Sequence, residues 1–388
     1  YHNMLSKGSV KTINILHNAG FEAYIVGGGI RDLLLNKKPK DFDIATNATP
    51  DQIIKLFKRS RKVGRRFQIV HIYFKNELIE VTTFRGNTQN SKNQIKNSYG
   101  MLLKDNVFGM IEDDAIRRDF TINALYYEPN SNTIRDFVDG YSDLKNKLIR
   151  VIGVPEVRFR EDPVRMLRAV RFAAKLHFNI ELQTGSCIEN LSSLVSCVSS
   201  FRLFDEVLKL LQNGYGLTTF DFLRSYGLFE YLFPKTEMCL DDRYLKFLQN
   251  SLKNTDIRIQ NSQTTNPAFL YATLLWPSVI SKKNKLLKSG KSKKSALMLA
   301  CRDTLENNQK HVSIPKRFLT TTREIWEFQI KLEKKSEIVA SKLTLHPRFR
   351  ASYDFLLLRE LVGECDTELV KWWANRQNIT FQRLKLNK

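Results

Sequence analysis

The sequence has no C-x-x-C pair, no Cys/His cluster and no His-Asp doublet. Its five cysteines (Cys187, Cys197, Cys239, Cys301, Cys365) stand far apart, and none of its six histidines precedes an aspartate. Neither a thiolate zinc site nor a disulfide framework is indicated, and a metal phosphohydrolase segment of the His-Asp type is excluded. A reducing cytoplasm fits this cysteine usage. No apolar run approaches the ~18 residues that a membrane helix requires. The strongest candidate, residues 268–276, is stopped by Pro277 and reads as a buried helix. Residues 1–11 lack the hydrophobic block of a signal peptide. Acids are also scarce: 40 Asp and Glu stand against 62 Lys and Arg, a formal charge of +22.

That excess is the footprint of a polyanion binder, because neutralised phosphates release condensed counterions. The basic residues are spread through folded-looking segments rather than gathered in an amphipathic anchor, which favours nucleic acid over a membrane surface. A chain of 388 residues with 42% hydrophobic content has material for two or three domains. Residues 10–19 read as a helix closed by Gly20, and 22–26 as a strand entering Gly27-Gly28-Gly29. Residues 30–35 resume helix and 42–45 are a short strand, after which Thr49-Pro50-Asp51 caps the next helix. Residues 69–74 and 78–84 form a hairpin around Lys75-Asn76-Glu77, and the polar stretch 87–98 is a loop. Beyond Asp139-Gly140 helical patterns take over. The expected organisation is an α+β chain: a mixed α/β head over 1–140, a helical neck over 141–215, and a helical body and leg over 216–388. The lysine-rich stretch 282–294 is expected to be a flexible basic loop.

Three features of the first region carry chemistry. A glycine turn between strand and helix permits close backbone approach, and the following amides can cradle phosphate oxygens. Asp41-Phe42-Asp43 lies a dozen residues downstream of that turn. On a strand, residues two apart share a face, so both carboxylates converge with Phe42 on the other side. Such proximity of like charges calls for a divalent cation, which magnesium satisfies through a few carboxylates and substrate phosphates. Arg117-Arg118-Asp119 adds two cations and an acid. Downstream, Asp162, Arg165, Arg168 and Arg171 recur every three residues on a helix expected over 162–175.

GGGIRD (27–32), DFD (41–43), RRDFTINAL (117–125), Asp139-Gly140 and EDPVR (161–165) resemble, in order, the motifs of the class II nucleotidyltransferases. That family comprises tRNA CCA-adding enzymes and bacterial poly(A) polymerases, and the resemblance covers essentially the whole chain. It implies a polymerase-β-like head followed by all-α neck, body and leg. It implies Asp41 and Asp43 as catalytic metal ligands for Mg²⁺, with Mn²⁺ as a substitute, and Gly27, Gly28, Arg31 and Arg118 as nucleotide contacts. Asp119 is similar to a further catalytic acid, with Glu80 as its rival. Asp162 and Arg165 would read the base, an amino group by the carboxylate and ring acceptors by the guanidinium, with Arg168 and Arg171 supporting the helix or meeting phosphates. ATP and CTP both fit that chemistry.

Residues 64–71 (GRRFQIVH) and 100–109 resemble the poly(A) polymerase branch, as do 314–318, 324–326, 346–354 and Trp372-Trp373. Arginines interleaved with aromatics suit single-stranded RNA, although Trp326, Trp372 and Trp373 read individually as helical core, and His71 as a packed strand residue. The branch often ends in a long arginine-rich tail, whereas this sequence stops at Lys388, which leaves tail-dependent binding open. The expected activity is ATP-dependent adenylation of RNA 3′ ends, with CCA addition to tRNA as runner-up and an inactive RNA binder third.

Overall fold

A computed structural model describes residues 4–64, 68–86, 94–96, 102–105 and 108–386. The backbone groups into two compact units, Tyr1–Leu194 and Val195–Lys388. The first unit is built on a seven-stranded mixed sheet. Its elements begin with α1 (Lys7–Asn18), β1 (Ala23–Val26), α2 (Gly28–Leu34), β2 (Asp43–Thr46) and α3 (Pro50–Leu56). There follow β3 (Ser60–Val63), β4 (Ile69–Tyr73), β5 (Leu78–Thr83), β6 (Gln94–Lys96), β7 (Leu102–Asp105), α4 (Ile111–Arg117), β8 (Leu125–Glu128) and β9 (Thr133–Asp136). The strand order is β3-β4-β5-β2-β1-β8-β9, and β2 runs parallel to β5 while the other neighbours are antiparallel. β6 and β7 make a separate antiparallel pair, and β6 falls within the stretch 87–98 read as loop. Of the two polymerase-like signatures, residues 65–67 and 100, 101, 106 and 107 lie outside the described residues.

Local chemistry explains the early elements. Ser6 caps α1 by accepting from the Ser9 amide, and Gly20 follows the helix at φ +84°. Thr49 and Gln52 form a capping box on α3, with Pro50 at its first position. The hairpin is in place, with Tyr73 opposite Leu78. Ile25, Ile44, Val70 and Val81 are fully buried in its sheet.

The unit ends with α5 (Gly140–Lys145), β10 (Leu148–Ile149), α6 (Pro155–Glu161), α7 (Val164–Leu176), β11 (Asn179–Ile180) and α8 (Leu182–Leu191). β10 and β11 pair in parallel, so strand pairing continues past residue 140. The arginine helix also starts later than expected. Pro163 disfavours the helical conformation for the residue before it, and Asp162 is extended at φ −152°, between α6 and α7.

The second unit is helical: α9 (Ser200–Leu211), α10 (Gly216–Ser225), α11 (Phe229–Leu232), α12 (Pro234–Glu237), α13 (Asp242–Gln260), α14 (Pro267–Lys288), α15 (Lys293–Asn308), α16 (Lys316–Leu332), α17 (Glu337–Leu343), α18 (Phe349–Leu361) and α19 (Thr367–Leu386). Two expectations fail here. Pro277 does not stop the apolar run, because α14 passes through it. The ~3 kcal/mol that an internal proline costs is offset by a segment in which every residue from 270 to 279 is buried. The lysine stretch is not a loop either. α14 continues to Lys288, turns at Gly290 (φ +86°), and α15 starts at Lys293. Trp326 and Trp373 are fully buried, their indole N–H groups donating to the carbonyls of Ala272 and Leu332. No described helix is long and apolar enough to cross a membrane.

Candidate active site

Gly27 closes β1 at φ +78° and ψ −141°, a backbone state that glycine adopts without penalty. The next glycines serve packing. A Cβ at Gly29 would stand 3.0 Å from the Asp41 carbonyl oxygen and 3.1 Å from the Phe42 ring, so α2 presses directly on the acid-bearing segment. β2 begins at Asp43, with Asp41 just ahead of it. Asp41 is exposed, Phe42 buried and Asp43 half-buried, the alternation that brings the two carboxylates to one side.

Register supplies the neighbours. Asp43 lies opposite Val26 on β1 and beside Glu80 on β5, and Glu80 in turn lies opposite His71 on β4. The His71 Nε2 is 3.4 Å from the Glu80 carboxylate, beyond good hydrogen-bond length, and has no hydrogen-bond partner. Burial, then Glu80 and to a lesser degree Asp41, push the Asp43 carboxyl up to about 6 against the pull of Arg118. A Cβ on Gly27 would meet Asp43 Oδ2 at 3.6 Å and Arg118 Nη1 at 4.0 Å. Glycine turn, carboxylate and guanidinium therefore border one space. Gly27→Ala is expected to cost about 1–3 kcal/mol through its backbone conformation and to raise the KM for nucleotide. Thermal unfolding and initial rates check both effects.

The donor set fits a hard divalent cation, which would relieve the mutual repulsion of Asp41, Asp43 and Glu80. Among the described residues no three His, Cys, Asp or Glu side chains form a metal cage by themselves. The remaining ligands would come from substrate phosphates and water, as magnesium allows.

The arginines are held in place from behind. Arg118 Nε donates to Asp114 Oδ2 at 3.1 Å and to the Tyr126 hydroxyl at 2.9 Å, and Tyr126 donates to Asp114 at 2.7 Å. Against the desolvation of burial, Arg118 and Tyr126 keep the Asp114 carboxyl below its usual range. Arg31 is buried; it donates to Asn123 Oδ1 at 2.7 Å and to Asp32 Oδ1 at 2.6 Å. Gly28 adjoins it, since a Cβ there would stand 3.3 Å from Arg31 Nη2.

Asp119 is engaged away from Asp43. It accepts from Arg168 Nε at 2.8 Å, from the Phe120 amide at 2.8 Å and from Asn123 Nδ2 at 3.3 Å. Against its burial, Arg168 and these donors pull its carboxyl down to about 2. The guanidinium carbons of Arg31, Arg168 and Arg171 lie 5.2, 5.3 and 5.2 Å from the centroid of the Phe172 ring, within cation–π range. Asp162 Oδ1 accepts from the Val164 amide at 3.4 Å, a weak contact. Arg165 Nη1 donates to the Arg158 carbonyl at 2.7 Å and faces Glu161 at 3.3 Å.

Arg85 and Arg158 escaped the sequence patterns, and with Arg117 and Arg165 they form a second cationic group. Burial and like charge hold Arg117 and Arg158 at about 10. Arg85 and Arg165 crowd Arg117, Arg165 and Arg117 crowd Arg158, and Glu161 is the counter-acid for both. The only signal was arginine density, without a spacing that reveals convergence.

The sequence model for the Poly A polymerase head domain matches residues 23–150, that for the probable RNA and SrmB-binding site of polymerase A matches 177–240, and that for the polymerase A arginine-rich C-terminus matches 289–385. Poly(A) polymerase I of Salmonella typhi is 48% identical over 385 residues, spanning 96% of this chain and 83% of the relative. The CCA-adding enzyme of Lactobacillus helveticus is 39% identical over 202 residues, spanning 52% of this chain and 49% of that protein. Among solved structures, the Bacillus stearothermophilus CCA-adding enzyme in complex with CTP superposes with a TM-score of 0.62 at 24% identity, over 95% of this chain and 80% of the other, a likeness of fold.

Proposed function

The chain belongs to the bacterial poly(A) polymerase I family, and from that membership and the acids gathered at Asp43 we infer the assignment of roles in an enzyme that adds AMP from ATP to RNA 3′ ends without a template. In the reaction the 3′-hydroxyl oxygen of the RNA bonds to the α-phosphorus of ATP, the bond to the bridging oxygen of pyrophosphate breaks, and the hydroxyl proton is lost to solvent.

Asp41 and Asp43 are the ligands for magnesium, for which manganese is a substitute, and Glu80 is the acid that supplements them. The bound cation supplies Lewis acidity, lowering the hydroxyl pKa and countering charge on the phosphates. Arg118, held rigid by Asp114 and Tyr126, faces the triphosphate across Gly27. Gly28 keeps the approach open, and Arg31 braces the turn from inside. Asp119 positions Arg168. Asp162 and Arg165 read the amino group and ring acceptors of the base, and Arg171 joins Arg168 on the phosphate side of Phe172. The observation that carries this reading is the register that sets Asp43 beside Glu80, on one space with Gly27 and Arg118. An acid placed where its ionised form is costly is a functional-site signature. The reading places the enzyme in the bacterial cytoplasm, acting on messenger and other transcripts.

An extension assay offering each nucleoside triphosphate separately tests it. Long products from ATP alone on an oligo(A) primer are expected. Addition of only one or a few C and A residues, and only to tRNA lacking its end, would replace polyadenylation with CCA addition. No extension of either primer with magnesium present would leave an RNA-binding protein.

A further inference from the structure

The second unit contains a cavity of about 350 Å³ bordered by α12, α14 and α15. Its charged lining is lopsided. Lys235 on α12, Lys282 and Lys285 on α14, and His311 just beyond α15 face one acid, Asp303. Asp303 is itself shared: Lys282 approaches it at 3.4 Å and Arg302 at 3.6 Å. Lys235 and Lys285 have no ion-pair partner among the described residues. Burial, with Lys235 and Lys310 nearby, lowers the His311 pKa, so the ring stands in a positive field. Ser281 and Asn307 add neutral hydrogen-bonding groups to the rim.

The surroundings extend this field. α14 delivers Lys282, Lys283, Lys285 and Lys288 in its last two turns, and the turn and start of α15 add Lys291, Lys293 and Lys294. No acid occurs between residues 282 and 294. Seven cations at the end of a helical hairpin repel one another unless an anion lies against them. A concave site with unpaired ammonium groups suits a phosphodiester, since lysine acts on phosphate as a point charge.

We propose that the cavity between α12 and the α14–α15 hairpin is a phosphodiester subsite for the single-stranded RNA whose 3′ end is extended, with Lys235 and Lys285 as its principal cations. This rests on the reading of RNA as substrate. The subsite is built from residues of the second unit alone, and its expected contribution is to RNA affinity.

The test is fluorescence anisotropy of a 20-nucleotide oligo(A) over a range of salt concentrations, using the full chain and the double variant Lys235→Gln/Lys285→Gln. Both lysines are exposed, so the fold should tolerate their replacement. Affinity is expected to fall about tenfold or more near 0.1 M salt, and the slope of log K against log salt to shrink by roughly 0.7 for each lost single-strand phosphate contact. A Kd within twofold of the parent with an unchanged slope would overturn the proposal. So would an equal loss in the charge-matched variant Lys246→Gln/Lys253→Gln on α13, because the effect would then be net charge alone. Extension of oligo(A) with ATP by the unaltered chain is measured in parallel. If extension fails while binding depends on Lys235 and Lys285, the enzymatic reading falls and the subsite stands.

Discussion

Asp43→Asn is expected to abolish AMP incorporation and at the same time make the protein more stable. An ordinary aspartate titrates near 3.8, and in the fold Asp43 is pushed up to about 6 by burial, with Glu80 as its main neighbouring charge. Between those two values the folded state holds more protons than the unfolded one, so stability falls as pH rises through that window. Above about 6 the loss is complete, on the order of 1–3 kcal/mol after allowance for partial exposure. The asparagine variant carries no such charge, so its thermal midpoint should exceed the parent's at pH 7.5 and converge on it near pH 4. Activity should drop by a factor on the order of 10³ or more, as for loss of a principal charge-stabilising group. Unfolding scans at the two pH values and a single-turnover assay are sufficient. A variant less stable at pH 7.5 would show that Asp43 is a structural acid. Added magnesium should stabilise the parent and not the variant, which gives a readout independent of turnover.

The second large effect separates Glu80 from Asp119. Glu80→Gln is expected to raise the magnesium concentration needed for half-maximal activity about tenfold or more, because it removes a charge beside Asp43. Asp119→Asn should leave that requirement unchanged. It should instead destabilise the head by about 1–3 kcal/mol, the cost of leaving the donors around a buried carboxylate unsatisfied while Arg168 stays partly solvated, and raise the KM for ATP through a disordered Arg168. Its acid denaturation should differ as well. The parent gains stability from the depressed Asp119 carboxyl above about 4 and loses it as pH falls toward 2, whereas the variant has no such component. A raised magnesium requirement in Asp119→Asn would return that residue to the metal.

What the sequence revealed follows the range of the interactions involved. The glycine turn, the Asp41/Asp43 alternation, the hairpin at residues 75–77 and the helix cap at Thr49 are set by neighbours a few positions apart, and all were readable. Glu80 entered only through the family resemblance, as the rival of Asp119 for the third acid. Its place depends on the parallel pairing of β2 and β5, which no local pattern dictates. Asp162 was misplaced because its spacing to the arginines matched a helical stripe, while Pro163 set the backbone locally. The lysine stretch was misread for the opposite reason. Its polarity hid half-buried positions at 283 and 286–287, which follow buried Val279 and half-buried Ile280 at helical spacing, a repeat that burying one face is enough to maintain. The tie between Asp119 and Arg168 spans 49 positions and had no signal short of the fold itself.

The bare face of Gly29 has one more consequence. The spacing between the turn and the two acids is fixed by hard contact of α2 with the Asp41 backbone and the Phe42 ring, and repulsion between touching atoms is indifferent to ionic strength. RNA capture by exposed cations is the reverse, since salt screens it steeply. As salt is raised the two halves of the activity therefore part company: the polymerase lets go of its strand while its catalytic geometry stays intact.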